Sequence, residues 1–506
     1  MSKMQCPHWK DHIRPVAGGW FELETDETQG VPVRLFLTEA LLAELEPTLY
    51  PQIIAATRFA GTRCVVITPD VHFGYGVPVG CVIATDYASG SIALGPVGFD
   101  IGCGMVSAQS NVPARAATPD RRLAFNREVM SRIALGTGGV SRVLAELEQE
   151  EFMFLVRGGA EAYAERFGSG IDRQRTERQR FAVDEDWLPP WGGKGSPERG
   201  LHQLGTLGGG NHFVELQRGV PAQQDPRDEH EGRLYVQIHT GSRGFGHGLA
   251  TNYFELARDE RPELGANIDL GYFLPESPHY RGYLNAVAAG ANFAIVNRLI
   301  IYEQVSAAFR TVFREELELV YELSHNLVQA EQHPEFGPIW VHRKGATRAL
   351  PAGHPMLEET SFVNSGHPVL IPGSNRDESY ILRPLPGAAS SLYSVNHGAG
   401  RRLSRGEANR TLDQSQVNDA YQKAKILVND DGRVPLDESG ACYKRSHQVV
   451  QAVLNAGLAE IEVRLWPLAS IKGNDNVHSA EKRQRRSADK NRKLERQAAR
   501  RSKRDQ

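Results

Sequence analysis

Cysteine is scarce in this 506-residue sequence, which has five, at positions 6, 64, 81, 103 and 442. An odd number of cysteines without a repeated spacing does not make a disulfide framework, so we expect free thiols and a cytoplasmic protein. Long apolar runs are also missing, and residues 1–8 lack the apolar stretch of a signal peptide. We therefore expect no membrane span and no membrane partner.

Two motifs that commonly handle nucleotides are absent as well. The sequence has no Gly-x-x-x-x-Gly-Lys-Ser/Thr phosphate loop and no Lys-x-x-Gly segment, which would supply a lysine nucleophile to a nucleotidyl-transferring enzyme. If the protein carries a covalent nucleotide, another side chain must hold it, and histidine is the available nucleophile.

The net charge is only −3, but it is unevenly distributed. Residues 481–506 contain twelve Lys or Arg against four Asp or Glu, a net charge of +8, which leaves 46 basic against 57 acidic residues, or −11, in residues 1–480. We expect residues 1–473 to form one domain. We expect residues 474–506 to be a basic, disordered C-terminal tail whose charge suits nucleic acid.

Glycine, by contrast, is plentiful, and some of it accompanies metal-binding side chains. Residues 95–105 read Gly-Pro-Val-Gly-Phe-Asp-Ile-Gly-Cys-Gly-Met, so Asp100 and Cys103 lie three residues apart among four glycines. Glycine permits tight turns and a close approach to a ligand. A carboxylate is a hard metal ligand and a thiolate a soft one, and two ligands do not complete a site.

Four histidines can supply further ligands. Each is at the end of a predicted strand and within one or two residues of Asn or Gly, namely His212, His239, His325 and His397. A single histidine is more often a hydrogen-bonded structural residue, but four in one context indicate a site, because imidazole is the commonest transition-metal ligand. With Asp100 and Cys103 they exceed the needs of one tetrahedral ion. We predict a pair of metal ions, with the Cys103 thiolate available to both.

The predicted elements alternate irregularly, and no repeat or linker divides the chain, so the expected fold class is α+β or mixed α/β in a single domain. Helices are predicted over 38–46, 283–313, 414–427 and 447–456, with broken helical stretches over 121–147. Residues 177–199 are expected to be irregular. Short strands are predicted at 64–68, 81–85 and 461–465, with a loop at 69–80.

Seven blocks of the sequence together resemble the RtcB-type RNA ligases, which join RNA ends in tRNA splicing and RNA repair. The resemblance extends over about residues 64–473. The blocks are Pro-Asp-Val-His-Phe-Gly-Tyr-Gly at 69–76, Gly-Phe-Asp-Ile-Gly-Cys-Gly at 98–104, Gly-Gly-Gly-Asn-His-Phe at 208–213, His-Thr-Gly-Ser-Arg-Gly at 239–244, Ser-His-Asn at 324–326, His-Arg-Lys-Gly-Ala-Thr-Arg at 342–348 and His-Gly-Ala-Gly-Arg at 397–401.

The resemblance implies a GTP-dependent and Mn(II)-dependent RNA ligase with central β-sheets surrounded by helices. His397 would attack the α-phosphate of GTP and expel pyrophosphate. The guanylate would then pass to an RNA 3′-phosphate, and a 5′-hydroxyl would attack that end and release GMP. An RNA that ends in a 2′,3′-cyclic phosphate would first be opened by hydrolysis. An archease is a frequent activating partner in this family.

The same resemblance implies the ligand sets. One Mn(II) would bind Cys103, His239 and His325, and a second would bind Asp100, Cys103 and His212. The guanylate pocket would comprise Asn211, Phe213, Glu215, Asn326, Ser374, Ser379, Gly398, Ala399, Gly400, Tyr443 and Lys472. Glu215 suits the N1 and N2 donors of guanine, and Tyr443 suits stacking on the base. The ligands alone would favour zinc, so manganese rests on the resemblance.

The sequence departs from the family pattern at residues 374–379, where Ser-Asn-Arg-Asp-Glu-Ser replaces a small and apolar run, and we expect this to affect substrate preference. Residues 474–506 are a further departure, because many members end at the equivalent of Lys472-Gly473. Two other functions stay open. One is a dinuclear metal-dependent phosphodiesterase or hydrolase that forms no covalent nucleotide, and the other is a catalytically altered RNA-binding homologue.

Overall fold

The computed structural model describes residues 8–144, 147–193, 195–224, 232–265 and 267–473. The predicted tail, residues 474–506, lies outside the described residues, as does Cys6. The described helices are α1 (Glu39–Ala43), α2 (Tyr50–Ala56), α3 (Pro119–Arg132), α4 (Gln149–Phe167), α5 (Arg243–Glu260), α6 (Tyr280–Phe313), α7 (Arg405–Thr411), α8 (Gln414–Lys423) and α9 (Ser446–Asn455).

The described strands are short except at the centre of the sheets. In chain order they are β1 (Ile13–Val16), β2 (Trp20–Leu23), β3 (Val33–Leu35), β4 (Thr62–His72), β5 (Val79–Asp86), β6 (Ile92–Ala93), β7 (Gly104–Pro113), β8 (Ala134–Leu135), β9 (Thr206–Gly208), β10 (Phe213–Pro221), β11 (Arg233–Thr240), β12 (Tyr272–Phe273), β13 (Glu318–Ser324), β14 (Asn326–His333), β15 (Gly337–Lys344), β16 (Ala346–Arg348), β17 (Val369–Ile371), β18 (Ser379–Pro384), β19 (Ser394–Asn396), β20 (Leu427–Val428) and β21 (Ala459–Lys472).

Two large sheets dominate the architecture. A seven-stranded sheet has the order β1-β2-β3-β4-β5-β15-β14, and an eight-stranded sheet has the order β13-β7-β11-β10-β21-β18-β17, with β20 beside β21. Three two-stranded pairs, β6 with β12, β8 with β9 and β16 with β19, complete the described strands. The pairing is antiparallel except for β3 with β4, β20 with β21 and β8 with β9.

The register of the eight-stranded sheet brings several strand ends to one edge. Phe213, which begins β10, pairs with His239 near the end of β11, and His239 pairs with Met105 near the start of β7. Met105 pairs with Leu323 near the end of β13, while Phe213 also pairs with Lys472 at the end of β21. Because neighbouring strands are antiparallel, the residues just beyond these pairs emerge together. They include His212, Cys103 and His325.

Alternation along β4 explains how the seven-stranded sheet is covered on both faces. Val65 and Ile67 belong to the apolar cluster formed with α1 and α2. Cys64 and Val66 belong to a second cluster with β17, β18 and α9. Successive side chains of a strand point to opposite faces. A strand that is apolar at every position is therefore predicted to be buried on both sides. One face of the sheet therefore packs on helices α1 and α2 and the other on strands β17 and β18 and helix α9, and the predicted α+β fold class is confirmed.

Helix α6 is the core of the other half of the molecule. It packs on α3, α4 and α5 and against the eight-stranded sheet, and most of its side chains are buried. Among the described helices it is the one that is long and apolar enough to span a membrane, yet 83% of its most apolar window is buried within the protein. Its apolar composition is therefore accounted for by the core.

Helices α6 and α9 confirm their predictions, but other predicted boundaries were wrong. The helix predicted over 38–46 ends at Ala43, and the one predicted over 414–427 ends at Lys423. Over 121–147 the described residues form one helix, α3, which is followed by the short strand β8 and turns instead of a second helix.

Two strands extend beyond their predicted ends. The loop predicted from Pro69 is wrong at its start, because β4 continues to His72 with a register shift against β5. Strand β21 continues to Lys472 and includes Pro467, which is tolerated because its register with β10 shifts at that point.

Candidate functional site

The predicted metal ligands meet at the edge where the strand ends emerge. The Sγ atom of Cys103 lies 3.3 Å from Nε2 of His239 and 3.5 Å from Nε2 of His212. His239 Nε2 is 3.4 Å from Nε2 of His325, and His212 Nε2 is 3.0 Å from Oδ2 of Asp100. Two groups have all their ligand atoms within 4.8 Å of one another, and they share Cys103: Cys103, His239 and His325, and Asp100, Cys103 and His212.

The chemistry of these donors fits divalent cations. His239 Nδ1 lies 3.1 Å from the carbonyl oxygen of Asn211 and donates its proton there, so Nε2 carries the lone pair that faces Cys103. Burial lowers the pKa values of His239 and His325 well below the ordinary value, and the neighbouring histidines lower them further. Both rings are therefore neutral, which is the form that binds metal.

The thiol and the carboxylate of the site behave differently. Burial, together with the charge of Asp100, raises the pKa of Cys103 well above its ordinary value. Burial also disfavours ionised Asp100, but its hydrogen bond to His212 and the charge of that ring lower its pKa. The carboxylate is therefore ready to bind a cation, whereas Cys103 must release a proton when it does so.

A buried arginine of α6 ties together the strand ends that carry these ligands. Arg298 donates to the carbonyl of the residue before Cys103 at 2.6 Å and to that of the residue after His239 at 3.1 Å. It also donates to Oγ of Ser324 at 2.8 Å, beside the third ligand segment. Glu322, which is fully buried like Arg298, balances the charge. Removing one partner of such a pair costs about 3–5 kcal/mol, so this contact strongly constrains the ligand positions.

His397 lies next to this centre, with its ring centroid 4.9 Å from that of His325. Its Nδ1 is 2.7 Å from Oδ2 of Asp70, a fully buried residue of β4. Thr68 donates its hydroxyl to the other oxygen of Asp70 at 2.6 Å. Burial favours the neutral acid, but the charge and hydrogen bond of His397 lower the pKa of Asp70. The carboxylate therefore fixes the Nδ1–H tautomer and leaves Nε2 of His397 free as a nucleophile.

Space for the His397 ring depends on Gly345, which follows β15. A Cβ atom added at Gly345 would lie 2.8 Å from Cε1 and 2.9 Å from Nδ1 of His397, and the backbone there has a φ of +59°. The amide of Asn326 holds this glycine, because Gly345 N–H donates to its Oδ1 at 2.8 Å. The same side chain donates to the carbonyl of Asp100 at 3.1 Å. Asn326 thus links the loop of Asp100 to the loop beside His397.

A cavity of about 590 Å³ opens over His397. It is also lined by ligands of both candidate metal groups, including Asp100, Cys103, His239 and His325. Nine of the eleven residues predicted for the guanylate pocket line it: Asn211, Phe213, Asn326, Ser374, Gly398, Ala399, Gly400, Tyr443 and Lys472. The other two, Glu215 and Ser379, are buried behind this lining.

Glu215 and Ser379 are connected through Gln217. The Nε2 atom of Gln217 donates to Oε1 of Glu215 at 2.7 Å and to Oγ of Ser379 at 3.1 Å. Burial raises the pKa of Glu215 to about 7, although Gln217 and the charge of Lys472 oppose this effect. Glu215 is therefore an acceptor whose charge changes near neutral pH.

Glu438, which sequence analysis did not identify, organises one wall of the cavity. It accepts the hydroxyl of Tyr443 at 2.6 Å and lies 3.5 Å from Nζ of Lys472. Arg401 and Arg405 approach its other oxygen at 3.3 Å and 3.2 Å. Burial opposes its ionisation, but the charges of Lys472 and Arg405 lower its pKa. Three cations around one carboxylate leave this wall positively charged, which suits phosphate groups.

The unusual segment at 374–379 contributes less charge to the cavity than its sequence suggests. Asp377 accepts the backbone N–H of Ser446 at 3.0 Å, and Glu378 accepts from Tyr380 at 2.8 Å and from Trp466 at 3.1 Å. These carboxylates are thus engaged by protein groups. From residues 375–378, Asn375 is the one that lines the cavity.

Asp70 was overlooked although it lies in the quoted block at 69–76. A carboxylate that interrupts an otherwise apolar strand is seldom buried without a partner, and this signal could have identified it. Glu438 offered no comparable signal, because it lies in a polar segment, Val-Pro-Leu-Asp-Glu-Ser-Gly, with no strand or helix pattern.

Comparison with known proteins shows what the chain is similar to. The family model described as tRNA-splicing ligase RtcB matches residues 52–473. The chain is 34% identical over 468 residues to the tRNA-splicing ligase RtcB of Pyrobaculum aerophilum, covering 88% of this chain and 95% of that relative. It is 32% identical over 473 residues to that of Thermococcus kodakarensis, covering 90% and 97%. It is 35% identical over 425 residues to the RNA-splicing ligase RtcB of Mycobacterium tuberculosis, covering 80% and 96%. The chain therefore belongs to the RtcB family of tRNA-splicing ligases.

Proposed function

We propose that this protein is an RNA ligase that uses GTP to join an RNA 3′-phosphate, or a 2′,3′-cyclic phosphate after hydrolysis, to a 5′-hydroxyl. Membership of the RtcB family supports the ligase activity. The observation that carries the finer assignment is the pairing of His397 with buried Asp70 inside the cavity that the candidate metal ligands also line.

In the first step Nε2 of His397 attacks the α-phosphorus of GTP, and the bond to the pyrophosphate oxygen breaks. The ring gains positive charge as the N–P bond forms, and the carboxylate of Asp70, 2.7 Å from Nδ1, stabilises that charge. Tight packing against Gly345 keeps the ring in one orientation.

In the second step an oxygen of the RNA 3′-phosphate attacks the same phosphorus and releases Nε2 of His397. The 5′-hydroxyl of the other RNA end then attacks the 3′-phosphate, a new phosphodiester bond forms, and GMP leaves. The positive wall of Arg401, Arg405 and Lys472 suits the phosphates that pass through the cavity.

Two Mn(II) ions would be held by Cys103, His239 and His325, and by Asp100, Cys103 and His212. Bound there, they would neutralise phosphate charge and lower the energy barrier of nucleotidyl transfer. Manganese is proposed on the family resemblance, since Cys and His donors alone would favour zinc.

The guanylate pocket extends from His397 toward Glu215. The Glu215 carboxylate suits the N1–H and N2–H groups of guanine, and Tyr443 offers a ring for stacking. Nine of the pocket residues line the cavity, which supports this assignment. We also infer that the enzyme works in the reducing cytoplasm, since the four described cysteines are unpaired thiols. An archease remains the expected activating partner.

The basic residues 474–506 are proposed to act as an RNA-binding arm. Their charge is opposite to that of the rest of the chain, and a tethered basic segment gains affinity by releasing counterions from RNA. Deleting residues 474–506 is expected to weaken RNA binding and flatten its salt dependence. Unchanged affinity at every salt concentration would refute this role.

A sealing assay tests the main proposal against its rivals. Wild-type protein with GTP and Mn(II) is expected to join a 3′-phosphate RNA to a 5′-hydroxyl RNA, and His397→Ala is expected to give no product. A dinuclear phosphodiesterase would instead cleave RNA without GTP and would tolerate His397→Ala. A catalytically altered homologue would bind RNA but join nothing.

A further inference from the structure

Two aromatic side chains project from the mouth of the cavity in the loop between β4 and β5. Phe73 is 58% exposed and Tyr75 is 73% exposed. Eight large apolar side chains are exposed among the described residues, and these two are the ones that line the cavity. Neither Phe73 nor Tyr75 packs against another aromatic side chain of the described residues. Two solvent-exposed aromatic rings beside the cavity indicate a binding site for a ligand.

The loop that carries these rings is held firmly from both sides. On one side, the amide of Gln52 both donates to the carbonyl of Gly74 and accepts its N–H. On the other, the Nζ of buried Lys344 donates to the carbonyls of Tyr75 at 2.6 Å and Val77 at 3.1 Å. The exposure of the two rings is therefore a fixed feature of the loop and is not produced by fraying.

Close packing also fixes the turn between the rings and the strand that follows. Gly76 has a φ of +71°, and a Cβ added there would lie 2.6 Å from the carbonyl oxygen of Asp269. The same loop directly follows the segment of Asp70, which holds His397. The rings are thus presented rigidly near the reacting end of the cavity.

We propose that Phe73 and Tyr75 form a stacking platform for unpaired bases of the RNA beside the join. This inference rests on the proposed ligase function. Sequence-tolerant binding of single-stranded RNA combines aromatic rings for the bases with cations for the phosphates. The cavity supplies both, since Arg401, Arg405 and Lys472 line it together with the two rings. This continuity with the cavity favours RNA over a protein partner as the occupant.

The test uses Phe73→Ala and Tyr75→Ala, with Phe73→Trp and Tyr75→Phe as variants that keep a ring. Each alanine variant is expected to bind a 3′-phosphate RNA roughly five- to a hundredfold more weakly, as loss of one stacked base implies. The ring-keeping variants should bind like wild type, and so should Tyr87→Ala, which removes an exposed ring that stacks on Trp340 elsewhere. Labelling of His397 by GTP should match wild type in Tyr87→Ala, which lies outside the cavity lining.

Abasic RNA separates stacking from a general effect on the loop. A single abasic nucleotide is placed in turn at the three positions next to the join. At one position or more it should weaken RNA binding to the wild-type protein. At the same position it should not weaken binding to the alanine variants any further. Equal losses on intact and abasic RNA would overturn the platform, as would unchanged RNA binding by both alanine variants. If the alanine variants bind RNA normally but no longer bind an activating protein, the platform is overturned in favour of a protein-binding surface. If wild type forms no guanylate but the stacking results hold, the ligase proposal fails and the platform stands.

Discussion

Nδ1 of His397 lies 2.7 Å from Oδ2 of Asp70, and that carboxylate is fully buried. The carboxylate sets the tautomer of the ring and is placed to stabilise the charge that develops on it. Asp70→Asn keeps the shape of the side chain but removes the charge. The rate of guanylate transfer to His397 should fall roughly 100- to 10,000-fold, a range typical of such partners. Single-turnover labelling would measure it, and an unchanged rate with normal metal content would refute this role.

Gly345, which follows β15, gives a second test of the same ring, and Gly337 at the start of that strand offers a matched control. Gly345→Ala would bring a methyl group within 3 Å of His397, whereas Gly337, at the other end of β15, also has positive φ but no neighbour within 4 Å. Both alanine variants carry similar backbone strain. Only Gly345→Ala is expected to slow His397 labelling, by tenfold or more. Equal activity of the two variants at matched stability would contradict the packing argument.

Cys103 belongs to both candidate metal groups, so its loss should differ from the loss of any histidine. Cys103→Ala is expected to reduce binding of both ions, while His212→Ala and His325→Ala should each impair one. Metal content after dialysis, measured by elemental analysis, distinguishes these patterns. Loss of a single ion from Cys103→Ala would refute the shared ligand.

Glu215 predicts a pH dependence for guanine binding. Its pKa is raised to about 7, so the carboxylate that we propose as the acceptor for N1 and N2 is formed as pH rises through 7 and is lost below it. Affinity for GMP should therefore increase from pH 6 to pH 8. Glu215→Gln should bind weakly and with little pH dependence. Calorimetric titrations at several pH values check this, and a wild-type affinity that is flat with pH would contradict it.

The sequence singled out residues that the structure brings close together, but it placed the limits of several elements wrongly. Histidines at strand ends were recognisable because a glycine or asparagine within two residues of each one marks the turn. The register that brings the three histidine-bearing ends of the eight-stranded sheet to one edge depends on long-range pairing, such as Phe213 with His239, and no local pattern encodes it.

Helix α5 and strand β21 illustrate what local patterns concealed. Gly244, Gly246 and Gly248 in the first turns of α5 argue against a helix, yet added Cβ atoms there would collide with neighbouring atoms, so packing requires them. Pro467 is unfavourable within a strand, but a shift of register beside it removes the conflict. In both cases tertiary contacts outweighed local propensity.

The most direct test of the central claim is labelling with α-³²P GTP and Mn(II). Metal-loaded wild-type protein should retain one guanylate per chain through an acid-labile and alkali-stable bond, as a phosphorylated histidine does, and His397→Ala should retain none. Peptide mapping should locate the label at His397. A folded, metal-loaded wild-type protein that takes up no label, or carries it on another residue, would contradict the account.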